Sequence, residues 1–210
     1  MYKYIFFDFN GTLINDLGLC LDLLNLFLRE QGKKELTEEE YKEVFKFPIR
    51  QYYIDAGIDF NIESYDSLSK RFIKEYQPKS MECGLFPNTE KTLKKLKDLG
   101  YHLFILSASE VNNLLEQTNH YQITKYFDAV LGIDNIHAES KVDIAKEYIK
   151  KNNINPSETL FIGDTLHDYE VSKAMGVDCA LVSCGHQSRR ILEKANVSVI
   201  STISDIFQIL

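Results

Sequence analysis

Several things this sequence has little of narrow its reading at once. No stretch of the 210 residues approaches the roughly 20 apolar residues that a bilayer-spanning helix requires. The first residues, MYKYIFFDF, reach an acid after a short apolar run, so no secretory leader is expected. Cys20, Cys83, Cys179 and Cys184 show no CxxC spacing and no matching histidine pair. Reduced, mostly buried thiols in a cytoplasmic protein are therefore expected, not a zinc site or a disulfide framework. Basic charge is also scarce: 24 Lys+Arg stand against 31 Asp+Glu, a net charge of -7. A nucleic-acid surface needs clustered basic charge, and that balance argues against one. A phosphorylated ligand stays open, because a metal ion and a few local cations can dominate a single pocket. No repeat and no low-complexity segment is visible.

What is present is a core-forming composition, 44% apolar and 26% charged, in a pattern that changes along the chain. Residues 3–8 read as a buried strand and Asn10-Gly11 as a turn. Residues 17–31 read as a helix stopped at Gly32. Thr37 and Glu40 form a capping box for a second helix running to about residue 46. Further helical patterns cover 49–56 and 64–76. From residue 84 onward helices alternate with strands: helix 89–99, strand 101–106 with Ser109 capping the next helix, strand 127–133, helix 141–152, strand 159–163 and helix 168–175. Segments 177–183, 187–195, 197–200 and 203–210 continue the alternation. This order predicts an α/β fold, a Rossmann-like parallel sheet covered on both faces. The expected division is a core of residues 1–15 and 84–210 with an all-helical domain, residues 16–83, inserted after the first strand.

Ligands of doubly wound sheets sit at the carboxyl ends of the strands. Four polar islands fall there or just beyond: Asp8-Phe9-Asn10-Gly11-Thr12-Leu13; Ser107; Lys141; and Gly163-Asp164-Thr165-Leu166-His167-Asp168. An aspartate can attack phosphorus and divide one hard step into two easier ones. Asp8, Asp164 and Asp168 offer hard oxygen ligands of the kind Mg2+ accepts alongside substrate phosphate. Without a metal these acids repel one another and their pKa values rise. Lys141 offers a point charge and Ser107 a hydroxyl to phosphoryl oxygens. Blander readings exist for each: a turn at Asp8, a helix cap at Asp164, a first-turn acid at Asp168, a helix start at Ser107 and a solvated lysine at 141.

DFNGTL, Ser107, Lys141 and GDTLHD together resemble the four ordered motifs of the haloacid dehalogenase superfamily, over the whole chain. The helical insertion is similar to that family's cap, and the subgroup resembled is the phosphoglycolate phosphatases. The resemblance implies Asp8 as nucleophile and a Mg2+ site formed by Asp8, the main-chain carbonyl of Asn10, Asp164 and Asp168. It implies that Ser107 and Lys141 hold phosphate, and that the substrate is a small phosphorylated metabolite. No nucleic acid or membrane partner is expected, and nothing in the chain fixes an oligomeric state.

One residue departs from the pattern. Family phosphatases read DxDGT, the second aspartate being the general acid and base; here it is Asn10. An amide can donate a hydrogen bond but cannot deliver or accept the proton, a service worth about 10²–10⁴-fold. Three readings follow: a phosphatase for esters with good leaving groups or one in which another residue supplies the proton, a slow enzyme that accumulates phosphoenzyme, and a phosphate-binding or regulatory protein without turnover. In the insert, Arg50 is a candidate anchor for a substrate carboxylate or second phosphate, or else an exposed helical arginine. Lys70, Arg71 and Lys74 read as a solvated face, the 17–28 apolar stripe as the insert's own core, and His167 as an exposed loop residue. His186 follows a strand end without an assigned role.

Overall fold

The computed structural model describes residues 1–133 and 140–210. Six parallel strands, β1 (Tyr4–Phe7), β2 (His102–Glu110), β3 (Ala129–Ile133), β4 (Thr159–Gly163), β5 (Asp178–Val182) and β6 (Ser198–Ile200), form one sheet in the order β3-β2-β1-β4-β5-β6. β1 is therefore central, with Phe6 in register with Phe104 on one side and Phe161 on the other. Such a strand has both faces covered, which explains a continuous apolar run where an alternating one would mark a half-exposed strand.

The two faces carry different helices. Ile5 and Phe7 pack with Leu93 and Leu96 of α5 (Thr89–Asp98), Leu114 of α6 (Val111–His120) and the C-terminal Ile203 and Ile206. Phe6 points the other way, against Ala145 and Ile149 of α7 (Lys141–Lys151) and Val171 and Met175 of α8 (Leu166–Met175).

Between β1 and α5 the chain makes only helices: α1 (Leu17–Glu30), α2 (Glu38–Val44), α3 (Ile49–Ala56) and α4 (Tyr65–Ser80). They share an apolar cluster of their own, centred on Leu24, Phe27, Leu28, Tyr41 and Leu68, so the stripe on α1 does serve the insert's core. The Thr37–Glu40 capping box forms at the start of α2. The two connections to the sheet run side by side, with Asn15 N donating to Gly84 O at 3.0 Å and Phe86 N to Leu13 O at 3.0 Å. On the surface of the insert, Lys70 pairs with Asp66, and Arg71 reaches Glu30 and Glu63.

Three local expectations are corrected. β2 runs on to Glu110 through an irregularity against β3, so Ser109 does not cap the next helix. That cap is Glu110, whose carboxylate accepts from Asn113 N at 3.0 Å. Helix α8 starts at Leu166 with Thr165 as its cap. The four cysteines are free but only partly buried.

Candidate active site

Asp8 is the first residue past β1, and its amide still bonds Ile162 O of β4 at 2.8 Å. That extra rung fixes the backbone while the side chain emerges at the sheet's rim. Gly11 then turns the loop at φ +68°. A Cβ there would run into Asp164 and His186, so only glycine lets the loop pass this close. Asp164 follows β4 directly. Asp168 sits in the first turn of α8, where one oxygen caps the helix, accepting from Thr165 N at 3.0 Å and Thr165 Oγ1 at 2.7 Å. Its other oxygen accepts from Lys141 Nζ at 2.7 Å. Lys141, the first residue of α7, also donates to Asp8 Oδ1 at 2.5 Å. Ser107 is buried beside them, its Oγ accepting from Ser109 N at 3.1 Å.

Asp8, Asp164 and Asp168 can each present an oxygen within 4.8 Å of the other two. All three are buried, and the Lys141 ammonium pairs with Asp8 and Asp168. Burial raises the Asp8 carboxyl well above the ordinary range, Lys141 opposing and the other two acids adding to the rise. Burial likewise raises Asp164. At Asp168 burial is outweighed by Lys141, and the pKa is lowered. Ionised together, the three carboxyls would carry an excess of buried negative charge of the kind a divalent cation relieves, on hard oxygen donors suited to Mg2+.

Residues 5–182 match the haloacid dehalogenase-like hydrolase family. The chain belongs to that family. Among curated proteins it is 23% identical to a phosphoglycolate phosphatase of Pseudomonas syringae pv. tomato, across 94% of this chain and 75% of that protein. It is 24% identical to phosphoglycolate phosphatase 1 of Pseudomonas aeruginosa, across 97% and 78%. Among solved structures, a haloacid dehalogenase-like hydrolase of Streptococcus pneumoniae superposes with a TM-score of 0.82 at 18% identity, covering 99% of this chain and 98% of that one. At that identity the superposition speaks for the fold alone.

For a member of this family, the surroundings of Asn10 are the unexpected part. Its amide nitrogen donates to Asp16 Oδ2 at 2.9 Å and to Tyr76 Oη at 2.6 Å, and its Oδ1 accepts from Ser109 Oγ at 3.1 Å. Both amide donors are therefore engaged within the protein. Asp16 stands at the cap position of α1 yet makes no capping bond. Its carboxylate turns inward, accepting from Gly11 N at 2.8 Å and Tyr76 Oη at 2.7 Å, with His186 Nε2 at 3.3 Å. His186 Nδ1 lies 2.8 Å from Tyr41 Oη, and its backbone N donates to Asp164 Oδ2 at 2.6 Å. Burial alone would lower the His186 pKa, but Asp16 outweighs it and holds the imidazole at about 9. Reciprocally, Asp16 is lowered despite burial, chiefly by His186.

Asp8, Asn10, Ser107, Lys141, Asp164 and Asp168 all line one cavity of about 490 Å³. Arg50 does not join them: it is exposed, with its guanidinium 5.1 Å from the centre of the Phe60 ring. His167 is no loop residue. It lies in the first turn of α8, lines the cavity and stacks on Phe47 at 4.4 Å. Asp16 and His186 went unassigned in the sequence. An aspartate before an apolar helix looks like an ordinary cap, and its partner lies 170 positions away.

Proposed function

We propose that the chain is a magnesium-dependent phosphatase that hydrolyses a small phosphate monoester through an aspartyl phosphate on Asp8. The observation that carries this reading is the meeting of the Asp8, Asp164 and Asp168 oxygens around Lys141 at the end of the central strand.

In the first step an Asp8 oxygen attacks phosphorus, the ester P–O bond breaks, and the electron pair leaves on the alcohol oxygen. Lys141 faces the nucleophile, where its ammonium favours the ionised, attacking form of Asp8 and the transferring oxygens. Ser107 offers its hydroxyl to the same phosphoryl group. Water then attacks the phosphorus of the aspartyl phosphate, releasing inorganic phosphate and restoring Asp8. Asp8, Asp164, Asp168 and the main-chain carbonyl of Asn10 are the residues to hold Mg2+, which when bound would offset the repulsion between carboxylate and phosphate. Asn10 can steady the loop but cannot carry the proton in either step. Residues 16–83 act as the cap over the cavity, and residues 1–15 with 84–210 as the catalytic core.

A second reading, a phosphate-binding protein with little or no turnover, draws on Asn10 and its fully engaged amide. Phosphate release from an aryl phosphate with Mg2+ present separates the two. The expected result is turnover that chelation abolishes and that Asp8→Asn lowers by ~10⁴-fold or more, the scale of losing a nucleophile. Turnover that survives Asp8→Asn would refute the proposed chemistry, and binding of phosphate without turnover would favour the second reading.

A further inference from the structure

We infer that the ester this site accepts has an uncharged aromatic alcohol part, a phenol-type leaving group, and not a carboxylate-bearing one such as phosphoglycolate. The inference rests on the phosphatase reading and narrows its substrate class.

Two independent observations point there. The first is the wall of the cavity that faces the core. It is built by α2, α3, α4 and their links, and it presents Phe45, Phe47, Tyr53, Tyr65, Phe72 and Ile73. Lys141 is the one lysine or arginine among the described residues lining the cavity, and Asp8 and Asp168 already hold it. Residues 134–139 contain no lysine or arginine in their sequence. The His186 imidazolium is spoken for by Asp16, and Arg50 lies elsewhere. Glu110 adds a further acid to the lining. A carboxylate pressed against such a wall would lose its hydration and meet no lysine or arginine there, only the neutral side chains of Ser69 and Gln77 and His167, which already faces Glu170 at 3.6 Å. An aromatic ring would find faces to stack on and apolar surface to cover. The volume, about 490 Å³, falls within the range of pockets that enclose drug-sized ligands, far larger than a two-carbon acid needs.

The second observation is Asn10. With no carboxyl at that position, residue 10 cannot protonate the departing oxygen, and the nearby His186 has its ring nitrogens facing Asp16 and Tyr41. An alkoxide leaves poorly unprotonated, whereas a phenoxide, with a conjugate acid of pKa about 10, can leave on its own. Wall and loop thus select the same chemical class for unrelated reasons, one through binding and one through bond cleavage.

Binding and turnover separate this inference from the reading beneath it. Calorimetry on Asp8→Asn with Mg2+ would compare 1-naphthyl phosphate, 2-phosphoglycolate and inorganic phosphate. Naphthyl phosphate is expected to bind at least tenfold more tightly than inorganic phosphate, and phosphoglycolate no more tightly than inorganic phosphate. Tighter binding of phosphoglycolate than of naphthyl phosphate would overturn the inference. If none of the three binds, the inference and the phosphatase reading fall together. If naphthyl phosphate binds as expected but the wild-type chain does not turn it over, only the phosphatase reading falls. A gain-of-function variant gives a second arm. Ile73 is 57% exposed at the cavity, so Ile73→Arg leaves the core intact and adds the absent cation. It should tighten phosphoglycolate binding at least tenfold. Phosphoglycolate already preferred by the chain with Ile73 in place, and unimproved by arginine, would again overturn the inference.

Discussion

The floor and the wall of the cavity are built on opposite plans. On the floor, charges face one another across elements: Lys141 of α7 meets Asp8 and Asp168, and His186 meets Asp16 of the loop before α1. On the wall, rings touch rings, with Phe45 against Tyr52 at 4.9 Å, Tyr52 against Tyr53 at 5.2 Å and Phe72 against Tyr76 at 5.4 Å. Directional, desolvated polar contacts fix atoms to fractions of an ångström, as a displacement reaction demands. Aromatic contacts are broad and sequence-tolerant, so they can change with the substrate while the floor stays the same. On the proposed function, chemistry and selection would be carried by different kinds of force. The two regions meet through polar links, notably Tyr76 to Asp16 at 2.7 Å and Tyr41 to His186 at 2.8 Å, and through two stacked pairs, Phe45 on His186 at 4.8 Å and Phe47 on His167 at 4.4 Å.

The largest expected effect comes from giving the floor back its missing acid. Asn10→Asp would place a second carboxyl beside Asp16, whose Oδ2 now receives the Asn10 amide at 2.9 Å. Two carboxyls that close cannot both ionise, so one retains a proton and becomes available as a donor. The steady rate should rise by about 10²–10⁴-fold if proton transfer limits turnover. Rapid-quench traces should lose an initial burst of released alcohol in the variant while the present chain shows one. A single-phase trace in the present chain, with no gain from Asp, would mean that the floor does not need the residue at all.

Next in size is the Asp16–His186 pair, which tests whether the floor's charges act as a unit. Asp16→Asn strands a buried imidazolium and should cost ~3–5 kcal/mol, as breaking buried ion pairs does. The pH dependence has a definite sign. The His186 pKa is raised from 6.5 to about 9, so its contribution is full below pH 6.5 and is lost as pH rises through 9. The Asp16 pKa is lowered, so its contribution is present above the ordinary carboxylate range and is lost on acidification. Denaturant unfolding of metal-free protein should therefore show the largest penalty between about pH 5 and 6.5, shrinking towards pH 10. A penalty that does not change across that range would indicate a neutral pair.

Much of the floor was legible in the sequence and almost none of the wall. Strands buried on both faces read as unbroken apolar runs, so Ile5-Phe6-Phe7 and Leu160-Phe161-Ile162 announce themselves, and the acids at their ends follow. Asp8, Asp164 and Asp168 could be placed because each lies at a rim the topology dictates. Asp16 could not, because the same residue at a helix start usually bonds the helix, and only tertiary contacts turned its carboxylate inward. Ser109 misled in the opposite direction: a plausible cap was drawn into β2 by pairing with β3, leaving its hydroxyl to Asn10. On the wall, no periodicity distinguishes an aromatic that lines a cavity from one that fills a core. Phe27 and Phe72 carry the same signal, yet Phe27 fills the insert's core and Phe72 lines the cavity.

The smallest effect should come from the wall itself, and it tests whether selection is separable from chemistry. Phe47 stacks on His167 at 4.4 Å and is 37% exposed, so Phe47→Ala removes a ring face without opening the core. An aromatic pair is worth about 0.5–1.5 kcal/mol beyond its area, which corresponds to roughly a two- to tenfold rise in KM for an aryl phosphate. Binding shared by ground state and transition state changes KM and leaves kcat alone. Steady-state kinetics should therefore show KM rising while kcat stays within about twofold, and inhibition by inorganic phosphate, which touches only the floor, should not move. A fall in kcat at constant KM would place Phe47 in the reacting geometry, and the division between floor and wall would then fail where His167 bridges α8 and the insert.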